Sequence, residues 1–170
     1  MKQLVVYFSH TGENMINYQI KVLTKGNTEV VAEKIAALTG ADFFKIQPTV
    51  PYPTTYIDCN NVSRVENETN RCPDIINPLA SIADYDVIYI GFPIWHRSFP
   101  AIISKFIRSY DFSGKTVMPF CTNDEGGFGT AEMELRAILR NSNVKNGLAI
   151  HGSKVHESDD VIAKWVIKEI

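Results

Sequence analysis

The chain has 170 residues, is 45% hydrophobic and carries a formal net charge of −2. That is enough apolar content for one domain over residues 1–170 with a sizeable core and no covalent staples, and so small a charge excludes any electrostatic reason to expect nucleic acid or an anionic membrane as partner. No stretch approaches the roughly eighteen apolar residues of a membrane span, the apolar run Leu4 to Phe8 is too short for a signal peptide's core, and Cys59, Cys72 and Cys121 form no C-x-x-C pair, so a reducing cytoplasm is the expected location.

Gln3 to Phe8 is predicted as the first strand, an apolar run of the kind buried in parallel sheets. It ends abruptly in Ser9-His10-Thr11-Gly12-Glu13-Asn14, which offers hydroxyls, an amide and a glycine that lets backbone N–H groups approach an anion. Gly26-Asn27-Thr28 then opens a helix running from Thr28 to Thr39, with Val31, Ile35 and Leu38 on one face and Gly40 at its end. The start of such a helix carries about half a positive charge. The loop from Ser9 to Asn14 has no lysine, so this is a cradle of dipoles, suited to holding a phosphate rather than transferring one. Asp42 to Ile46 is the second strand, stopped by Pro48 and Pro51. A helix is expected from Thr54 to Glu68, followed by a proline-punctuated loop.

Tyr85 to Gly91 is a clear central strand. Pro100 opens a helix whose buried stripe is Ile102, Ile103, Phe106 and Ile107. Thr116 to Phe120 is the fourth strand, in which Pro119 is a misfit because proline avoids central strands. Thr130 to Arg140 is a helix, Gly147 to His151 the last strand, and Ser158 is expected to cap a final helix that buries Val161, Ile162, Trp165 and Val166. Strands alternating with helices make an α/β fold: a doubly wound five-stranded parallel sheet with helices on both faces.

Ligands of such sheets sit beyond the carboxyl ends of the strands, where the strand order reverses. Three loops qualify. The first, Ser9 to Asn14, suits phosphate. The second, Pro93 to Phe99, presents Pro93, Ile94, Trp95 and His96, with the Trp95 indole as a flat surface past the strand end and His96 as a candidate donor. The third, Cys121 to Gly129, presents Thr122, Asn123, Asp124, Gly127 and Phe128, whose amides, hydroxyls and glycine backbone suit the polar edge of a ring. A phosphate site, an aromatic slab and a hydrogen-bonding edge together describe flavin mononucleotide (FMN).

The chain resembles the flavodoxin family over nearly its whole length. That family's phosphate loop has the form [ST]-x-T-G-x-T. Ser9-His10-Thr11-Gly12-Glu13 matches it, Asn14 replaces the last threonine, and the expected Gly-Asn-Thr reappears as Gly26-Asn27-Thr28. The simplest reading is an insertion, Glu13 to Lys25, that splits the motif and forms a small hairpin from Met15–Tyr18 and Gln19–Leu23. By resemblance, Ser9, Thr11, Gly12 and Thr28 hold the phosphate of a non-covalent FMN. Short-chain electron carriers of the family usually place a glycine where the second loop meets the reactive N5 of the flavin. Pro93 to Pro100 has none, and Phe-Pro-Ile-Trp is also similar to the flavin loop of two-electron quinone reductases.

The resemblance implies a redox protein carrying electrons between a reductant and an acceptor, either a partner protein or a small molecule. The alternative is an FMN-dependent NAD(P)H:quinone-type oxidoreductase, and an anion-binding module without flavin is a distant third. The flavin does the electron chemistry, so no side chain is needed as nucleophile or obligatory acid. Gly114-Lys115-Thr116 lacks the first glycine of an NTPase phosphate loop, and the four histidines have no metal-site spacing.

Overall fold

A computed structural model describes residues 1–170. Its elements in chain order are β1 (Gln3–Tyr7), β2 (Gly12–Ile16), β3 (Gln19–Leu23), α1 (Asn27–Thr39), β4 (Asp42–Lys45), α2 (Tyr56–Thr69), β5 (Val87–Pro93), α3 (Ala101–Ser109), β6 (Thr116–Asn123), α4 (Ala131–Ile138), β7 (Asn143–Val144), β8 (Leu148–His151) and, after a 3-10 turn, α5 (Asp159–Glu169). The main sheet runs β4-β1-β5-β6, with β7 and β8 both on the outer edge of β6, and every pairing in it is parallel. The chain leaves β1 for β4 on one side and returns as β5 on the other. The strand order therefore reverses at the β1–β5 seam.

Side chains alternate across the pleat and so divide the apolar residues between two cores. Leu4, Val6 and Phe8 face a cluster completed by Ile102, Ile103 and Phe106 of α3 and Leu135 of α4. Val5 and Tyr7 face the opposite cluster, with Val31 and Ile35 of α1 and Ile162 and Trp165 of α5. The strands of the sheet centre are buried on both faces, which is why Val5, Val6, Ile88, Ile90 and Phe120 read as continuous apolar runs.

The expected five strands are present, but the last sheet position is made of two pieces. Pro119 lies opposite their junction. Thr116 donates to Asp86 and the Thr122 carbonyl accepts from Ile94, so even-numbered residues of β6 bond towards β5. Odd-numbered ones bond outward, as the Val117 carbonyl does to Lys145. The missing N–H of Pro119 thus faces the gap between Val144 and Leu148, where no ladder bond is made. Ser158 also departs from expectation. Its hydroxyl donates to the Val155 carbonyl at 2.6 Å and closes the 3-10 turn rather than capping α5.

The inserted segment is a hairpin, longer than the sequence indicates. Gly12 and Glu13 already belong to β2, paired antiparallel with Leu23 and Val22 of β3. Asn17 and Tyr18 form its two-residue turn, both with positive φ (53° and 59°). That is the geometry of a type I′ turn, whose twist matches the strands it joins.

Candidate functional site

A cavity of about 320 Å³ opens at the carboxyl ends of β1, β5 and β6, within the range of small-molecule sites. It is lined by all three loops, by the hairpin and by one face of α2.

At one end the chain leaves β1 and meets the start of α1. Gly26 makes this approach possible, because a Cβ there would overlap both the Ser9 hydroxyl and the His10 carbonyl. Ser9 Oγ accepts from the Glu29 N–H at 3.1 Å and so ties the loop to the first turn of α1. The backbone N–H groups of His10, Thr11, Asn27 and Thr28 have no acceptor within the protein. His10, Asn27 and Thr28 line the cavity, Asn14 and Glu13 flank them, while the Thr11 side chain is exposed and it, Ser9 and Gly12 stand outside the lining.

The side chains of this end are already engaged. Asn14 donates to the carbonyls of His10 and Gly12, both at 3.2 Å. Glu13 accepts from the Tyr56 N–H at 2.7 Å, which directs its charge to the positive end of α2. His10 Nε2 lies 2.8 Å from the Pro53 carbonyl, and a carbonyl only accepts, so Nε2 carries the proton.

The second loop leaves β5 through Pro93 and Ile94 and puts Trp95 on the cavity. The indole is half-buried among ring edges, with Tyr52 at 5.1 Å, Phe8 at 5.4 Å and His10 at 5.6 Å between centroids. Trp95 and Ser98 exchange both backbone hydrogen bonds, 2.9 and 3.0 Å, around a two-residue turn. His96 and Arg97 therefore have positive φ, 50° and 67°, without any glycine. The Arg97 carbonyl is anchored by Thr130 N–H at 2.7 Å, and Gly129 is required beside it, since a Cβ there would overlap that carbonyl.

His96 Nε2 is 2.8 Å from Ser63 Oγ, whose single hydrogen goes to the Cys59 carbonyl at 2.8 Å, so the histidine is the donor. Burial, helped by the Arg64 charge, lowers the His96 pKa and favours the neutral ring.

From the third loop Thr122, Asn123 and Asp124 line the cavity, joined by Glu125. Thr122 and Thr28 share a hydroxyl hydrogen bond of 2.7 Å. Asn123 donates to the Ile150 carbonyl at 3.3 Å. Asp124 accepts from the backbone N–H groups of Asn17 (2.5 Å) and Tyr18 (3.4 Å), so the hairpin tip is fastened to this loop. Gly127 and Phe128 lie elsewhere. The Phe128 ring packs edge-on against Phe92 in the core, and the Gly127 carbonyl faces Cys121 Sγ.

Sequence reasoning left out Cys59, Asn60 and Ser63. With Tyr56 they form the α2 wall of the cavity, and the spacing of three to four residues was the available signal. Burial pushes the Cys59 thiol up to about 12, so it is inert as a nucleophile. Behind this wall the Tyr52 hydroxyl donates to the buried Glu66 carboxylate at 2.8 Å.

A flavodoxin family model matches residues 2–169. Among solved structures, a candidate flavoprotein of Bacteroides uniformis ATCC 8492 is 35% identical, with a TM-score of 0.79 over 98% of this chain and 97% of that one. Another, of Bacteroides eggerthii DSM 20697, is 34% identical, with a TM-score of 0.73 over 95% and 98%. A flavoprotein of Lactobacillus acidophilus NCFM, solved in complex with FMN, is alike in fold at 20% identity, with a TM-score of 0.67 over 92% of this chain and 97% of that chain. No curated protein matches the chain.

Proposed function

The chain belongs to the flavodoxin family, and on that premise we propose that it holds FMN in the cavity lined by Thr28 and Trp95 and carries electrons between a reductant and an acceptor. The observation that supports this reading is the set of unpaired N–H groups on His10, Thr11, Asn27 and Thr28. Unpaired donors on either side of the start of a helix, three of them on residues that line the cavity, suit a phosphate dianion, and the helix dipole adds to their attraction. Gly26 keeps the cradle open where any side chain would fill it.

The remaining lining suits the rest of the molecule. Trp95 offers a flat apolar surface for one face of the ring. Thr122, bonded to Thr28, offers a hydroxyl near the phosphate end, Asn123 lies beyond it, and the half-enclosed cavity limits water around the ring. Bound there, FMN supplies the electron-accepting chemistry. The protein contributes binding, orientation and exclusion of solvent. His96 holds its proton at Nε2 against Ser63, beside the cavity.

The electrons pass to a redox partner protein or a small-molecule acceptor. The test is a fluorescence titration of the purified protein with FMN and with riboflavin. FMN should bind at least about tenfold more tightly, the scale of one charge-assisted hydrogen bond. Equal affinity for the two flavins would overturn the phosphate assignment. Adding NADH or NADPH to the loaded protein separates the roles: repeated bleaching with quinone present marks an oxidoreductase, and none marks a carrier.

A further inference from the structure

We propose that Tyr18 is the outer cover of the flavin site, a ring supplied by the inserted hairpin and held in place by Asp124. The inference rests on the FMN reading above. Tyr18 occupies the second position of the hairpin turn at φ 59°, where glycine is favoured and an aromatic L-residue is strained. Burial does not offset that strain, because Tyr18 is 73% exposed. Residues held in such conformations cluster at ligand clamps.

The position of the ring says what it clamps. Tyr18 lines the same cavity as Trp95. The third loop brings no aromatic side chain there, since Phe128 turns into the core. Tyr18 comes from the hairpin and takes up that side. Met15 of the same hairpin also lines the cavity and pairs directly with Ile20, so the hairpin adds apolar surface beside Tyr18.

The tip is fastened. Asp124 takes hydrogen bonds from two successive backbone N–H groups, and the Glu125 carboxylate beside the Tyr18 hydroxyl raises that phenol's pKa. An electron-rich phenol with only two side-chain torsions, held over a cavity, is suited to stack on a flat electron-poor ring. With Trp95 it would enclose the flavin between two loops that the main sheet alone does not bring together.

The test compares wild type, Tyr18→Gly and Tyr18→Phe for FMN affinity, FMN release rate and emission of the bound flavin. Tyr18→Gly relieves the turn, so without FMN it should unfold at the same temperature or higher. It should nevertheless release FMN about tenfold faster, with brighter bound flavin. Tyr18→Phe keeps the ring and should stay within about twofold of wild type in release rate. Equal release from wild type and Tyr18→Gly overturns the proposal, as does an equal loss in Tyr18→Phe, which would assign the effect to the hydroxyl. A wild-type protein that binds no FMN overturns the cofactor reading itself, and this inference with it.

Discussion

The hydroxyls of Thr28 and Thr122 lie 2.7 Å apart and join the first turn of α1 to the end of β6. Both residues are buried, at 1% and 4% exposure, and both line the cavity. Two hydroxyls have two hydrogens, and the bond between them uses one. The other has no acceptor in the protein and is available to a ligand.

Thr28→Val leaves the Thr122 hydroxyl buried without a partner, and Thr122→Val does the converse. Each single change should destabilise the FMN-free protein by about 1–3 kcal/mol. The double change removes both groups and should cost less than the sum of the two. Urea unfolding of the four proteins checks this, and strict additivity would mean that the two hydroxyls are not coupled.

Gly26→Ala places a methyl group into the Ser9 hydroxyl and the His10 carbonyl. The loop must move away from α1 and the N–H cradle opens. FMN affinity should fall by roughly tenfold or more, while riboflavin, which has no phosphate, loses less. Parallel titrations decide, and an equal loss for both flavins would place the phosphate elsewhere.

Trp95→Ala removes a ring that is both a cavity surface and a neighbour of Phe8, Tyr52 and His10. The half-buried position predicts a destabilisation of about 1–3 kcal/mol, below that of a fully buried tryptophan. The protein should still fold, bind FMN less tightly and restore flavin emission, all measurable in one fluorescence and melting experiment. Unchanged flavin binding would restrict Trp95 to packing.

Burial raises the Glu66 pKa, while the Tyr52 hydrogen bond and Arg71 oppose the shift. The folded state then holds the proton more tightly than the unfolded chain. The associated stability is complete below the ordinary value of 4.5 and is lost as pH rises through the raised value. Glu66→Gln keeps an acceptor for Tyr52 and cannot ionise. Its stability relative to wild type should therefore rise from pH 4.5 upward and then level off. Melting curves across that range test it, and a pH-independent difference would contradict it.

The turn at His96 and Arg97 already holds positive φ, and its carbonyl at Arg97 is bonded to Thr130. The sequence alone implies that a glycine-free loop resists such angles. Here the paired Trp95–Ser98 hydrogen bonds impose them instead. A peptide flip at Arg97 would break its bond to Thr130, so a change of loop conformation with flavin charge is costly. Stepwise photoreduction of the FMN-loaded protein should bleach the flavin in one step, without a long-wavelength absorption band. A strong, persistent band would show that the loop does rearrange.

The fold was legible because its signals are local. The apolar runs at Val5 and Ile88 and the periodic stripes of α1 and α3 have one arrangement that buries them all. The three loops were found for the same reason, since each follows such a run. Direction was not legible. Nothing local to Phe128 distinguishes a ring turned to the core from one turned to a ligand, and that choice is made by Phe92 and Gly147, which it packs against. Tyr18 was hidden because its placement depends on Asp124, more than a hundred residues away. Asn60 and Ser63 of the α2 wall were missed because they are polar, and a polar helical face reads as solvated.

Pro119 also guards alignment. Its ring nitrogen is harmless only while it faces the break between β7 and β8. If β6 slid by one residue against β5, the proline would turn inward and delete a rung from the most deeply buried pairing of the sheet. The same slide would exchange the two faces, sending Val117 and Cys121 to the side now filled by Met118 and Phe120. A residue that looks wrong for its strand thus excludes the one-residue slip that would take Thr122 away from the cavity.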